Sequence, residues 1–185
     1  AQERKPRAAV MAMRDRPMNR PVEHVNHEKI WNLIKGAHSA LLINVKPDGT
    51  LVSRPMGCLQ KELDGVLWFL TFRDSMKLAD IRNNPNVMVS YAKPDEYEYV
   101  SISGTARIVE DSEKVNELWN EGLRVWFPNG PSDPEIAIIA VDVEQATCWI
   151  DAASAATFAW AYVKARITGK SPADDEIVTN RSVKF

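Results

Sequence analysis

A chain of 185 residues with 45% apolar content is long enough to bury one sizeable core and short enough that one domain is expected. Its formal net charge of −2 provides no global basic field for nucleic acid and no strongly acidic one for cations, so any anion site has to be local. Cys58 and Cys148 stand far apart with no CxxC spacing and no histidine at zinc-ligand distance, which reads as two small apolar side chains in a reducing compartment and no structural metal. No stretch approaches the ~18 consecutive apolar residues of a membrane span, and AAVMAM is too short for a signal-peptide core, so the expectation is a cytoplasmic protein with no membrane partner.

Residues 1–25 read as an arm: Arg4, Lys5, Arg7, Arg14, Arg16 and Arg20 alternate with prolines and show little periodicity. Such an arm is suited to lying along a partner subunit. Residues 26–152 read as the folded domain. Asn26 can cap a helix over His27 to Lys35, in which Ile30, Trp31 and Ile34 recur at helical spacing before Gly36 ends it. A hairpin follows, two apolar runs joined by Lys46-Pro47-Asp48-Gly49, the second run ending in Ser53-Arg54-Pro55-Met56.

LDGVLWFLT is a third strand, and Asp74 or Ser75 caps a short helix that stops before Pro85. NVMVSYAK is a fourth strand. In EYVSISGTARIV, Val100, Ile102, Gly104, Ala106 and Ile108 share one face, with Gly104 placed to bend or bulge the strand. A helix is expected near Ser112 to Glu121 and a last strand from about Ile136 to Trp149. Residues 153–185 read as a helix over Ser154 to Thr168 and a polar tail. About six strands at hairpin spacing, interrupted by short helices, predict a mainly β fold: an antiparallel barrel with helical decoration.

Between Thr71 and Lys77 the third strand turns from apolar residues to hydroxyls and cations. If a helix begins near Ser75, its first-turn N–H groups favour an anion, and Lys77 sits at the unfavourable end of the helix dipole unless an anion is bound there. Thr71 and Ser75 would then donate hydroxyl hydrogen bonds, and Lys77, with Arg54 or Arg73, would neutralise a phosphate. The pattern is equally that of a plain helix cap with solvated cations, and the residues alone leave both readings open.

Four segments in order resemble the general stress protein 26 group of the pyridoxamine 5'-phosphate oxidase-like flavoproteins: SRPMG, DGVLWFLTFRDSMKLADIRNNPNVMVSYA, YVSISGTARIVED, and LWNEGLRVWFPNGPSDPEIAIIAVDVEQATCWID. The resemblance implies an FMN-binding split β-barrel that works as a homodimer, with the flavin at the interface and FAD or F420 as other cofactors in use on this fold. It implies that Arg54, Pro55, Met56 and Gly57 line the flavin, that Leu70 and Thr71 are the family's hydrophobic-threonine pair, and that Ser75 and Lys77 are its Ser-x-Lys phosphate clamp. Met76 stands where the oxidases have arginine. Trp149 corresponds to a flavin-contacting Trp of the oxidases, with an interface or core Trp as the other reading. Trp126 and Phe127 would cover the flavin from the partner, or else pack their own loop.

The Arg-x-His motif that follows this Trp in the oxidases is missing, since the chain has no histidine after His38; pyridoxamine phosphate oxidase activity is not expected. Two functions of different class remain: an FMN-dependent oxidoreductase acting on an unidentified small molecule, with no catalytic acid or base to name, and a flavin-binding or redox-sensing stress protein without turnover. His24 and His27 lack further ligands for a metal, and no nucleic-acid partner is expected of Trp residues without a basic face beside them.

Overall fold

The computed structural model describes residues 27–96, 98–151, 166 and 178–184. The arm and most of the expected C-terminal helix lie outside the described residues. Helix α1 (His27–Ile34) buries Ile30, Leu33 and Ile34, the i, i+3, i+4 set of one face, and Gly36 ends it at φ 82°, a left-handed conformation that costs glycine nothing.

Strands β1 (Ser39–Val45) and β2 (Leu51–Gly57) form the expected hairpin, in register from Ser39 opposite Gly57 to Val45 opposite Leu51. Gly49 takes the positive-φ position of its turn, and the Asp48 carboxylate accepts from the Thr50 N–H at 2.9 Å. Then come β3 (Val66–Phe72), α2 (Met76–Asn83), β4 (Asn86–Lys93), β5 (Glu98–Val109), α3 (Ser112–Leu118), β6 (Ile136–Asp151) and β7 (Val178–Lys184).

All strand pairings are antiparallel, in the order β2-β1-β4-β5-β6-β3, with β7 also on β6. The expected antiparallel split β-barrel with short flanking helices is therefore what forms. The stretch read as a polar tail contributes β7. Strand β6 is long, β3 covers only Ile136 to Asp142 of its outer edge, and β7 takes the remaining Gln145 to Asp151, so backbone groups that would be left unpaired gain partners.

The sheet curls around one core. Leu42, Leu67, Phe69, Val89, Ile102, Ile139 and Val141 are all essentially inaccessible, and each such side chain contributes about 1.5–3 kcal/mol by leaving water. The face read for β5 is the one that points inward, and its register shifts between Ser103 and Gly104, where the bulge was expected. A Cβ at Gly104 would be driven into the Asp142 carbonyl oxygen, so only glycine permits β5 and β6 to approach there.

A second, smaller cluster covers the outer face. Val115, Phe127, Ile136 and Ile138 are buried there, with Trp68 and Leu70 packed against them. The Trp68 ring lies 4.7 Å from the Lys114 ammonium, a cation–π contact. Helix α3 is shorter than the sequence suggested. Asp111 caps its start by accepting from the N–H groups of Glu113 and Lys114, both at 3.0 Å, but extended backbone at Trp119 ends it, and Asn120 caps a separate 3-10 turn over Glu121–Val125.

Candidate anion site

The inward faces of β2 and β3 meet α2 at one end of the curled sheet. Alternation along β3 turns Leu67, Phe69 and Thr71 toward the core, so Thr71 is the last inward residue of the strand, buried where the apolar lining ends. Ser75 is the N-cap of α2, yet its hydroxyl makes no capping hydrogen bond. That leaves the oxygen available to another partner, next to first-turn N–H groups that carry the positive end of the helix dipole.

Lys77, in that first turn, folds back so that its Nζ donates to Thr71 Oγ1 at 2.7 Å. Its pKa is held below the usual lysine value, mainly by burial and secondly by the nearby Arg54 charge. Two cations thus share a half-buried corner, an arrangement whose cost an anion would lower.

Arg54 reaches the same corner from β2. Its Nη1 donates to Asn44 Oδ1 at 2.7 Å and its Nη2 to Asp80 Oδ2 at 3.5 Å, while Asn44 Nδ2 donates to the same Asp80 oxygen at 3.1 Å. Asn44 is fully buried and Asp80 nearly so, whereas 26% of the Arg54 side chain is exposed. The guanidinium is thus gripped from beneath and open above.

Of the expected residues, Lys77 meets Thr71 and lies near Arg54, and Ser75 stands two residues before it at the helix start. Other expected residues are distributed differently. Met56 points inward and is buried, while Pro55 and Gly57 are exposed on β2, an edge strand on which proline's missing N–H costs no ladder bond. Leu70 packs in the outer cluster, on the opposite face of β3 from Thr71. Met76, at the first helical position, is 73% exposed.

Arg73, held in reserve as a second cation, belongs to a different place. It donates to the carbonyls of Pro134 and Ile136 and to the Glu110 carboxylate, because the chain has left β3 and turned outward by that position. Phe127 is buried with its ring 4.8 Å from that of Phe72, so it packs its own loop. Trp126 beside it is 62% exposed.

Trp149 pairs with Tyr99 and Asn180 far along β6, whereas Thr71 pairs with Ala137 at that strand's start. At ~3.3 Å per residue the two positions on β6 are roughly 40 Å apart along the strand.

Sequence reasoning missed Asn44 and Asp80. Asn44 left a signal: in SALLINV it occupies the inward alternation shared with Ala40 and Leu42, and a polar residue at a core position is informative. Among the described residues no group of three or more His, Cys, Asp or Glu side chains could hold a metal, and no helix is long and apolar enough to cross a membrane.

The fold is a split antiparallel barrel with short flanking helices, and it carries a cationic, hydroxyl-bearing corner at a helix start. Residues 25–173 match the family described as "Pyridoxamine 5'-phosphate oxidase like", and the chain belongs to that family.

The resemblance to the general stress protein 26 group is borne out as well. General stress protein 26 of Bacillus subtilis is 31% identical over 77 residues, 40% of this chain and 54% of that protein, and Protein bli-3 of Neurospora crassa is 32% identical over 102 residues, 50% of this chain and 49% of that one. The chain spans about half the length of the curated relatives it matches.

Among solved structures, General Stress Protein 26 from Bacillus anthracis aligns at TM-score 0.59 and 33% identity over 66% of this chain and 92% of that one. The general stress FMN/FAD binding protein of Xanthomonas citri aligns at TM-score 0.60 and 27% identity over 69% and 90%.

Proposed function

We propose that the chain binds FMN, with the phosphate held by Arg54, Thr71, Ser75 and Lys77, and that it works as a flavin-dependent oxidoreductase on a small molecule. The observation that carries the binding part is the corner itself: Lys77 half-buried beside a second cation, with an uncapped Ser75 hydroxyl at the helix start. A phosphate dianion supplies the missing partner for all of them through charge-assisted hydrogen bonds. The Xanthomonas relative described as an FMN/FAD binding protein supports a flavin, and a phosphate corner favours FMN over riboflavin. FAD and the deazaflavin F420 are the other candidates.

Bound flavin supplies its own redox chemistry, and the protein's part is to bind, orient and shield it. A non-catalytic flavin carrier is the second reading. It is favoured by the scarcity of acid–base groups: the Cys58 thiol, pushed up to about 11 by burial, and the Tyr91 hydroxyl, raised further by burial and by Cys58, both stay protonated at neutral pH.

A homodimer completes the proposal. Trp149 lies near the far end of β6 from the residues paired with Thr71, and in a homodimer a contact between it and flavin could come from the second copy. Leu41, Leu51 and Met88 are exposed on the outward face of β1, β2 and β4, where Ile43 lies opposite Met88 and Leu41 opposite Pro55, an apolar surface suited to that copy.

The first test is a fluorescence titration of the purified protein with FMN: quenching is expected, and none would sink the assignment. Anaerobic NADH or NADPH then separates the two readings. Rapid bleaching of the flavin band marks a reductase, and a stable yellow complex with either nucleotide marks a carrier.

A further inference from the structure

The site as read from sequence consists of residues that would touch the ligand. The structure adds a layer beneath it. We infer that Asn44, together with Asp80, is a positioning residue for phosphate: it fixes the Arg54 guanidinium before the ligand arrives, near the Lys77 charge. This inference rests on the FMN reading above.

Asn44 is a polar side chain with no accessible surface, set in the strand of a hydrophobic core, and burial of an amide is tolerated only when its hydrogen bonds are made. Both of its ends are used. Its Oδ1 accepts from Arg54 Nη1 at 2.7 Å, and its Nδ2 donates to Asp80 Oδ2 at 3.1 Å, the oxygen that also faces Arg54 Nη2 at 3.5 Å.

The three side chains close a ring over β1, β2 and α2. The ring spends one hydrogen from each of two guanidinium nitrogens and leaves the remaining N–H groups unpaired among the described residues. A planar fork fixed on one side presents the other side in a set direction, which is the geometry that suits bidentate recognition of a phosphate monoester.

Asp80 also supplies a negative charge beneath the corner, so Arg54 and Lys77 can be held together in the absence of ligand. Arginine loses much rotamer freedom when it is immobilised, and a residue already fixed does not incur that loss on binding. The phosphate group, and not the isoalloxazine ring, is the part of the ligand that gains.

Two measurements test this. In the FMN-free wild-type protein, the Nη resonances of Arg54, assigned by their loss in Arg54→Lys, are expected to show slow rotation about the guanidinium bonds; fast-averaged signals would overturn the inference whatever any variant does. Second, FMN and riboflavin are titrated into wild type and Asn44→Ala. The variant changes no charge, so the expectation is roughly a tenfold fall in FMN affinity with riboflavin affinity unchanged, the size of one lost orienting hydrogen bond. A melting temperature does not discriminate, since a buried amide matters to folding in either case. A wild-type preference for FMN that survives Asn44→Ala undiminished refutes the positioning role alone. A wild type that binds the two flavins equally refutes the phosphate reading itself, and this inference with it.

Discussion

Arg54, on β2, and Arg73, just past the end of β3, are the same residue type near one corner, and they are used in opposite ways. Arg73 has a partner on each of its three guanidinium nitrogens, two backbone carbonyls and the Glu110 carboxylate, at a site where its side chain is half exposed. It clamps the end of β3 to the chain before β6. Among the described residues Arg54 is held by Asn44 and Asp80, and a second cation, Lys77, is close enough to feel its charge. A cation with partners on all three nitrogens and its charge paired at the surface reads as structural, whereas one with two bonded nitrogens beside another cation in a half-buried corner is suited to a ligand. The residue pattern alone leaves Arg54 or Arg73 open as the second cation, the family resemblance implies Arg54, and the partners each one makes favour Arg54.

The largest expected effect that tests this contrast is Lys77→Ala. It removes a charge-assisted hydrogen bond worth about 1.5–3 kcal/mol, so FMN affinity should fall roughly ten- to a hundredfold by fluorescence titration. Undiminished binding would break the comparison on its ligand side.

The pH dependence sharpens it next. Lys77 has a depressed pKa in the free protein, so at alkaline pH below the usual lysine value the free protein holds this proton more weakly than the complex does, and FMN binding takes the proton up. Affinity should therefore fall as pH rises through the depressed value, with calorimetric proton uptake that disappears in Lys77→Ala. By the same sign, the lysine's own contribution to folding in the free protein improves as pH rises through that window, because the unfolded chain binds the proton more tightly there.

Arg73→Ala is the mirror experiment. Its ion pair with Glu110 is solvent-exposed and contributes little, so a stability loss of about 1 kcal/mol in urea unfolding is expected, with FMN affinity unchanged. A clear loss of FMN binding would return Arg73 to the site.

Smallest is Ser75→Ala. A hydroxyl that makes no capping hydrogen bond costs folding little when removed, within about 0.5 kcal/mol, yet a neutral hydrogen bond to phosphate worth about 1 kcal/mol would be lost, a severalfold fall in affinity. An ordinary cap would show the reverse, with stability falling and binding intact.

Much of the fold was legible because it depends on local rules. The alternation of Val100, Ile102, Gly104, Ala106 and Ile108 fixed the inward face of β5 and located its bulge, and the Lys46–Gly49 turn fixed the register of the first hairpin. The site was legible in part for the same reason: Thr71, Ser75 and Lys77 lie within one strand end and one helix start, so local geometry brings them together. That Leu70 packs against the outer cluster and Phe127 is buried in it was not legible, because that cluster is assembled from α3, β3, β6 and the loop before β6 and has no local signature. The strand over Val178–Lys184 was missed because its polar sequence gives no burial pattern; it forms where β6 has a free edge.

By itself the sequence determined the strand faces, the turns and a local cluster of hydroxyls and cation, all consequences of side-chain period and backbone conformation over a few residues. Only the tertiary structure decided what holds Arg54 near Lys77 and leads Arg73 away. That depends on how β2 lies over β1 and α2, where a buried amide 10 positions away and a carboxylate 26 positions away hold the Arg54 guanidinium in place. Hydrogen bonds across such separations exist only once the sheet has curled, and no periodicity in the chain encodes them.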